Sequence, residues 1–358
     1  MSHTQTIKWP EIFSLGFLSV SIAISWIAYH EYQPRLLHDF NLTDMALFLV
    51  WVKAIVLVLT PPLAGWLADW LLKKNGKFFI LFSVGIGAAA MVFMVVASII
   101  GAGPLGTLKP VLPVMIVLWL ISMNTFVSPA YSMIDAFAPK DRLPVVVGFL
   151  FLTTELIYAL EPMVIHLVEF FGATLTFVVG GVLIAGSGIL FQKVAQNEVM
   201  AKRAMSLDST TTTTISKFIP IVVFGLALGL AKAVLVEYIP EVIQFEKLSG
   251  RVFSLLLLAA AAILGFALSQ LLKRFDYDRM FMLSGILTSI GIVALMFTTS
   301  TSLWLVGGVT TAAAFALLNI SGLPFALSNL SAKHITLGVG AFIGASEIIA
   351  GIFEVLLF

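Results

Sequence analysis

Apolar residues in this chain come in long unbroken runs divided by short polar breaks, the pattern of helices solvated by lipid. A helix needs about 20 apolar residues to cross a hydrocarbon core about 30 Å thick. Eleven runs qualify, roughly 11–32, 45–71, 78–100, 111–136, 144–168, 172–192, 217–240, 250–274, 279–298, 302–330 and 335–358. The first is too long for the core of a cleaved signal peptide and reads as a retained helix. Between the sixth and seventh runs, residues 193–216 are polar, with Lys202, Arg203, Asp208 and consecutive threonines from Thr210 to Thr214. Such a composition predicts a linker with no core of its own. The expected organisation is therefore all-α: a six-helix bundle over 1–192, a cytoplasmic linker over 193–216 and a five-helix bundle over 217–358.

One stretch recurs. The second run ends in Gly65-Trp66-Leu67-Ala68-Asp69-Trp70-Leu71-Leu72-Lys73-Lys74, followed by Gly76 and Lys77, an acid and then lysines at a tight turn out of the membrane. It returns as Gly265-Phe266-Ala267-Leu268-Ser269-Gln270-Leu271-Leu272-Lys273-Arg274, without the acid. In the same order, Glu31-Tyr32-Gln33-Pro34 matches Glu237-Tyr238-Ile239-Pro240, Asn124 and Pro129 match Asn319 and Pro324, and Thr154-Glu155-Leu156-Ile157 matches Ser346-Glu347-Ile348-Ile349. Ordered matches of this kind predict two repeated halves, the second lacking its last helix.

Parallel halves, a central polar loop and a Gly-x-x-x-Asp turn with basic residues after the second helix resemble the major facilitator superfamily of secondary transporters. That family's turn reads Gly-x-x-x-Asp-Arg-x-Gly-Arg-Arg/Lys. Gly65, Asp69, Lys73 and Lys74 fit it, whereas Trp70 replaces the Arg and Leu72 the second Gly, so the motif selects no subfamily. Lysophospholipid transporters and glycoside:cation symporters within the family show similar local patterns. The resemblance implies two pseudo-symmetric bundles, alternating access, and a twelfth helix that is peripheral to transport. It also implies that the second and eleventh helices face each other across the halves.

Composition agrees with a membrane chain: 60% of residues are hydrophobic, 11% are charged, and mean hydropathy is +1.07, against about 25% charged in soluble domains. The absence of cysteine removes disulfides, thiolate metal sites and cysteine nucleophiles. Charge placement predicts orientation. Lys8, Lys73, Lys74, Lys77, Lys140, Arg142, Lys193, Lys202, Arg203, Lys217, Lys273, Arg274, Arg279 and Lys333 fall on one side, and Arg35, Lys109, Lys247 and Arg251 on the other. The positive-inside rule then puts the N-terminus in the cytoplasm and the C-terminus outside, with the chain in the cell (inner) membrane.

No zinc-protease, nucleophile-elbow or phosphate-loop motif is present. Neither an enzyme nor a cofactor, metal or nucleic-acid partner is expected, and the chain is expected to act as a monomer. Ionisable groups at membrane depth carry the chemistry instead, since each costs about 2.5–3.5 kcal/mol at a helix centre. Counting depths from helix ends predicts an interdomain ion pair between Lys53 and Glu347. Glu155 and Glu347, repeat-equivalent, are the candidates for proton coupling, because a desolvated carboxylate holds a proton near neutral pH. Lys232, on the face of the seventh helix marked by Gly225 and Gly229, is expected to meet an anionic solute or to pair with Glu354 or Glu161. Polar stripes nominate Ser14, Ser21, Ser25 and Tyr32 on the first helix and Asn124, Ser128, Tyr131 and Asp135 on the fourth, with Asn319 on the tenth, as solute contacts. Serines bonding back to their own helix explain the first stripe equally well. Pro129 and Pro324 are expected to kink their helices as gates, and Asp69, with Lys73 and Lys74, to latch the halves. The function expected is a proton-coupled secondary transporter of a small organic solute, anionic or amphiphilic. The alternatives are a lipid flippase of the same fold and a receptor-like or assembly protein that does not transport.

Overall fold

The computed structural model describes residues 6–103, 110–207, 215–242, 249–270, 272, 276–298, 301–331 and 333–357. Asp208, Thr210 to Thr214, Lys109, Lys247, Lys273 and Arg274 lie outside that set. Among the described residues eleven helical segments are long and apolar enough to cross a membrane. They are α1 (Trp9–Asp39), α2 (Ala46–Asn75), α3 (Phe79–Ala102), α4 (Val111–Phe137), α5 (Leu143–Ala159, resuming over 161–171), α6 (173–207), α7 (Phe218–Ala233, continued by a π-helical turn at Val234–Tyr238), α8 (Gly250–Ser269), α9 (Tyr277–Phe297), α10 (Thr301–Asn329) and α11 (Ile335–Leu357).

The boundary between α5 and α6 is set by one glycine. Gly172 stands at φ 70° and ψ 166° within an otherwise helical stretch, a conformation open to a residue without Cβ. The turn leaves the Val168 carbonyl without its usual helical donor, and the Tyr32 and Thr176 hydroxyls donate to it at 2.9 and 3.1 Å. In α4 the helix is interrupted at Phe126 and again at Met133. Pro129 lies between, where its missing N–H deprives the Thr125 carbonyl of a partner. Pro324, by contrast, sits inside an α10 whose helical assignment is continuous from Thr301 to Asn329.

The expected linker also needs correction. Residues 193–207 continue α6 as helix, and Ala195, Val199 and Arg203, four residues apart, form a fully buried stripe. The average composition of the segment is polar, but helical spacing gathers its packing residues on one face. Arg203 donates to Asp135 at 3.1 Å and to the Ser132 carbonyl at 2.9 Å, with its guanidinium 5.2 Å from the centre of the Phe78 ring. Lys8 on the first helix's entry pairs with Glu198. The extension is thus bolted to the basic end of the molecule, which carries Lys73, Lys74 and Lys140.

Where helices of the two halves meet, backbones touch. Lipid supplies no hydrophobic drive for helix association, so close approach by small residues provides the contact. Gly65 lies against the Thr336 carbonyl, Gly340 against that of Pro61, and Gly344 against that of Val58, while a Cβ on Gly351 would stand 3.0 Å from that of Ala54. This seam runs the length of α2 and α11. On its other side α11 is packed by Gly225 and Gly229 of α7, facing Phe342 and Ser346, as the small-residue face of α7 predicted. The repeat-related seam joins α5 to α8, with Gly148 against Ser269 and the Gly265 carbonyl. A cavity lies between the halves.

Candidate functional site

The cavity between the halves encloses about 180 Å³. Its lining takes Tyr131 from α4, Val147, Leu150, Phe151, Thr154 and Glu155 from α5, Leu228 from α7, Asn319 and Leu323 from α10, and Phe342 from α11. Three residues singled out from the sequence, Glu155, Tyr131 and Asn319, are therefore brought together. The Tyr131 hydroxyl shares a hydrogen bond with the Ser19 hydroxyl at 3.1 Å, and the Asn319 amide donates to the Phe315 carbonyl at 3.2 Å.

Lys232 stands beside this cavity. Gly229, one turn earlier on α7, abuts Ser346, which carries Lys232 alongside the turn of α11 that holds Glu347. Its ammonium interacts electrostatically with Glu347, Glu155, Tyr158 and Glu237. The side chain is solvent-accessible on a helix whose Gly225 and Gly229 face is packed against α11. Its expected salt bridges do not form, because Glu354 is taken by Lys53 and Glu161 by Arg251.

The ion pair expected between Lys53 and Glu347 is replaced by one between Lys53 and Glu354, at 2.5 Å. Gly344 opposite Val58 and Gly351 opposite Ala54 fix the antiparallel register of α2 and α11. Lys53 therefore faces the turn around residue 354, and Glu347 lies two turns nearer the basic end. Depths counted from the ends of apolar runs do not contain this register.

Most of the two polar stripes serves the fold. Ser14, Ser21 and Ser25 donate to carbonyls of Glu11, Phe17 and Ser21 in their own helix, and Asn124 to that of Leu120. Ser128 donates across to the Pro61 carbonyl at 2.8 Å, Tyr32 is held at Val168, and Asp135 belongs to Arg203. Residues the sequence reading passed over are Tyr158, His30 and Thr336. Tyr158 was findable, since it follows Glu155 by three positions and shares its face. His30 interacts with Lys53 and Lys232, a relation between helices that no local pattern encodes.

At the basic end the halves are latched. The Leu337 N–H donates to Asp69 at 2.9 Å, at the start of α11, where free amide groups and the helix dipole favour an anion. The Thr336 hydroxyl bonds that of Ser132 at 3.2 Å, Lys73 meets His334 at 3.1 Å, Lys140 donates to the Ser328 carbonyl, and the Tyr277 hydroxyl donates to the Lys140 carbonyl. Lys74 lies over the Trp70 ring at 4.7 Å.

Solved structures share this fold. The human organic anion transporter MFSD10 (TETRAN) superposes with a TM-score of 0.69 at 10% identity, over 98% of this chain and 93% of that one. The proton:xylose symporter XylE, bound to 6-bromo-6-deoxy-D-glucose, superposes with a TM-score of 0.64 at 13% identity, over 99% of this chain and 89% of that one. The chain has the major facilitator fold. No protein-family model matches it, and no curated protein matches it in sequence. Within the major facilitator fold, the cavity beside Glu155 and Lys232 lies between the two bundles, and Asp69 joins those bundles at one end.

Proposed function

We propose that this protein is a secondary active transporter that works by alternating access, moving a small amphiphilic organic solute with proton coupling through Glu155 or Glu347. The observation that carries the reading is the single ammonium of Lys232 set among carboxylates from both halves beside a cavity between them. Charged groups are expensive at this depth, and their retention in a cavity marks a pathway. A carboxylate without a partner of its own takes up and releases a proton as its surroundings change. The likeness to a proton:sugar symporter and an organic anion transporter supports the transport reading through the fold.

With the N-terminus in the cytoplasm, as the charge bias implies, the latched basic end is the cytoplasmic gate. Rocking of the halves would break Asp69 from α11 and open that side. The experiment is a thermal-shift screen of the purified protein against small organic solutes, followed by flux in proteoliposomes containing a pH-sensitive dye. Solute movement accompanied by proton movement, with the latter lost in Glu155→Gln or Glu347→Gln, is expected. Solute flux of wild-type rate and unchanged pH dependence in both variants would remove the coupling assignment.

A further inference from the structure

The charge of the solute follows from what faces the cavity. Among its lining residues the one charged side chain is Glu155, and the same cavity is lined by the rings of Tyr131, Phe151 and Phe342 and the alkyl side chains of Leu228 and Leu323. A carboxylate among aromatic faces is a site for a cation with an apolar body, because ring faces attract positive charge and apolar walls take the rest. Lys232 does not reverse this. Glu347, Glu155 and Glu237 all act on its one ammonium, while the Lys53 charge is spent on Glu354. Three carboxylates against one ammonium leave the group short of positive charge, so it has room for more. An anion would have to displace a carboxylate from Lys232 and sit against the remainder.

We infer that the cavity binds amphiphilic organic cations, held by the Glu155 carboxylate among the three rings, and that a bound cation and a proton exclude each other there. The inference rests on the transport reading for its consequence, which is exchange of the solute for protons. Glu155 is faced by Lys232 of α7, Tyr131 of α4 and Tyr158 of its own helix, and Glu347 of α11 reaches the group through Lys232 and Tyr158. Of these, only Lys232 brings a positive charge, so its removal should strengthen cation binding.

Equilibrium binding to the full chain in detergent tests this without any transport step. Tetraphenylphosphonium and tetraphenylborate have nearly the same shape and opposite charge, and each is titrated calorimetrically against protein and against empty micelles. The phosphonium is expected to bind, about tenfold or more tightly at about pH 8 than at about pH 6, because protons compete for the same carboxylate. Tetraphenylborate is expected not to bind at the site, Glu155→Gln to lose both phosphonium affinity and its pH dependence, and Lys232→Met to bind more tightly. Preferential binding of tetraphenylborate by the wild-type protein overturns the inference whatever the variants do. So does phosphonium affinity unchanged in a folded Glu155→Gln protein. Either result leaves transport of another solute open, whereas failure of the transport reading appears separately as absence of flux.

Discussion

Lys53 and Glu354 join the two halves towards the end opposite the latch, and the pair is only partly shielded, the two side chains being 11% and 36% exposed. Removing one partner leaves the other charge in a poorly solvated seam, but the exposure of Glu354 limits the cost. Glu354→Gln should lower stability by about 1 kcal/mol. A double-mutant cycle in thermal unfolding should find coupling of Lys53 to Glu354 and none to Glu347, and the reverse result would restore the pair expected from depth alone. Arg203 is a harsher case, since its side chain is 1% exposed and its Asp135 partner 12%. Arg203→Met should cost about 3 kcal/mol or more, and adding Asp135→Leu should recover part of it, because the damage is the orphaned carboxylate rather than the lost attraction. At this scale the sequence disclosed which residues carry charge into the membrane. It did not disclose partners, since a partner is set by the register of a helix far away in the chain.

At the scale of elements, α11 is clasped between α2 and α7 by backbone contact, and each glycine there is a position where side-chain volume must move a helix. Gly344→Leu, which drives atoms into the Val58 carbonyl, should part α2 from α11. The protein has no cysteine, so spin labels can be placed singly on the α2–α3 turn and ahead of α11. A longer, broader inter-label distance in the variant is expected, and an unchanged distance would show that the seam adapts locally. Helix number and approximate extent were legible because lipid demands long apolar runs. The reach of α6 beyond residue 192 was hidden because only the spacing of Ala195, Val199 and Arg203, not the polar average of the segment, records its packing face. Two prolines in matching places likewise stand one between the two interruptions of α4 and one inside a continuous α10, a difference that their repeat-equivalent sequence does not record.

Across the whole molecule the closed basic end depends on few polar links. Asp69 is buried, with Oδ2 bonded to Leu337 and Oδ1 without a hydrogen-bond partner among the described residues. Asp69→Asn should favour the opened form, read as increased labelling of a Thr336→Cys reporter by a hydrophilic maleimide. His334 adds a pH dependence of determinate sign. Burial, and then the charges of Lys73 and Lys333, hold its imidazole below the usual value of about 6.5. The neutral ring accepts from Lys73, so the closed form binds fewer protons than a form in which the ring is solvated. Closure should thus be retained near neutral pH and weaken as pH falls through and below the ordinary imidazole range. Spin-label distances across the basic end should lengthen on acidification in the wild type and show a smaller change in His334→Gln.

What the sequence determined by itself was the solvent, the number of crossings, the repeated halves and hence the fold, because those follow from hydropathy and from order along the chain. It also contained Glu155, Tyr131, Asn319 and Lys232 as polar groups too costly to be idle. What only the tertiary structure decided was company: Lys53 with Glu354, Arg203 with Asp135, Asp69 with the start of α11, and one lysine among three glutamates. Those pairings depend on which backbones can touch. That is settled by glycines opposite carbonyls on distant helices, a fit between surfaces that no single stretch of chain contains.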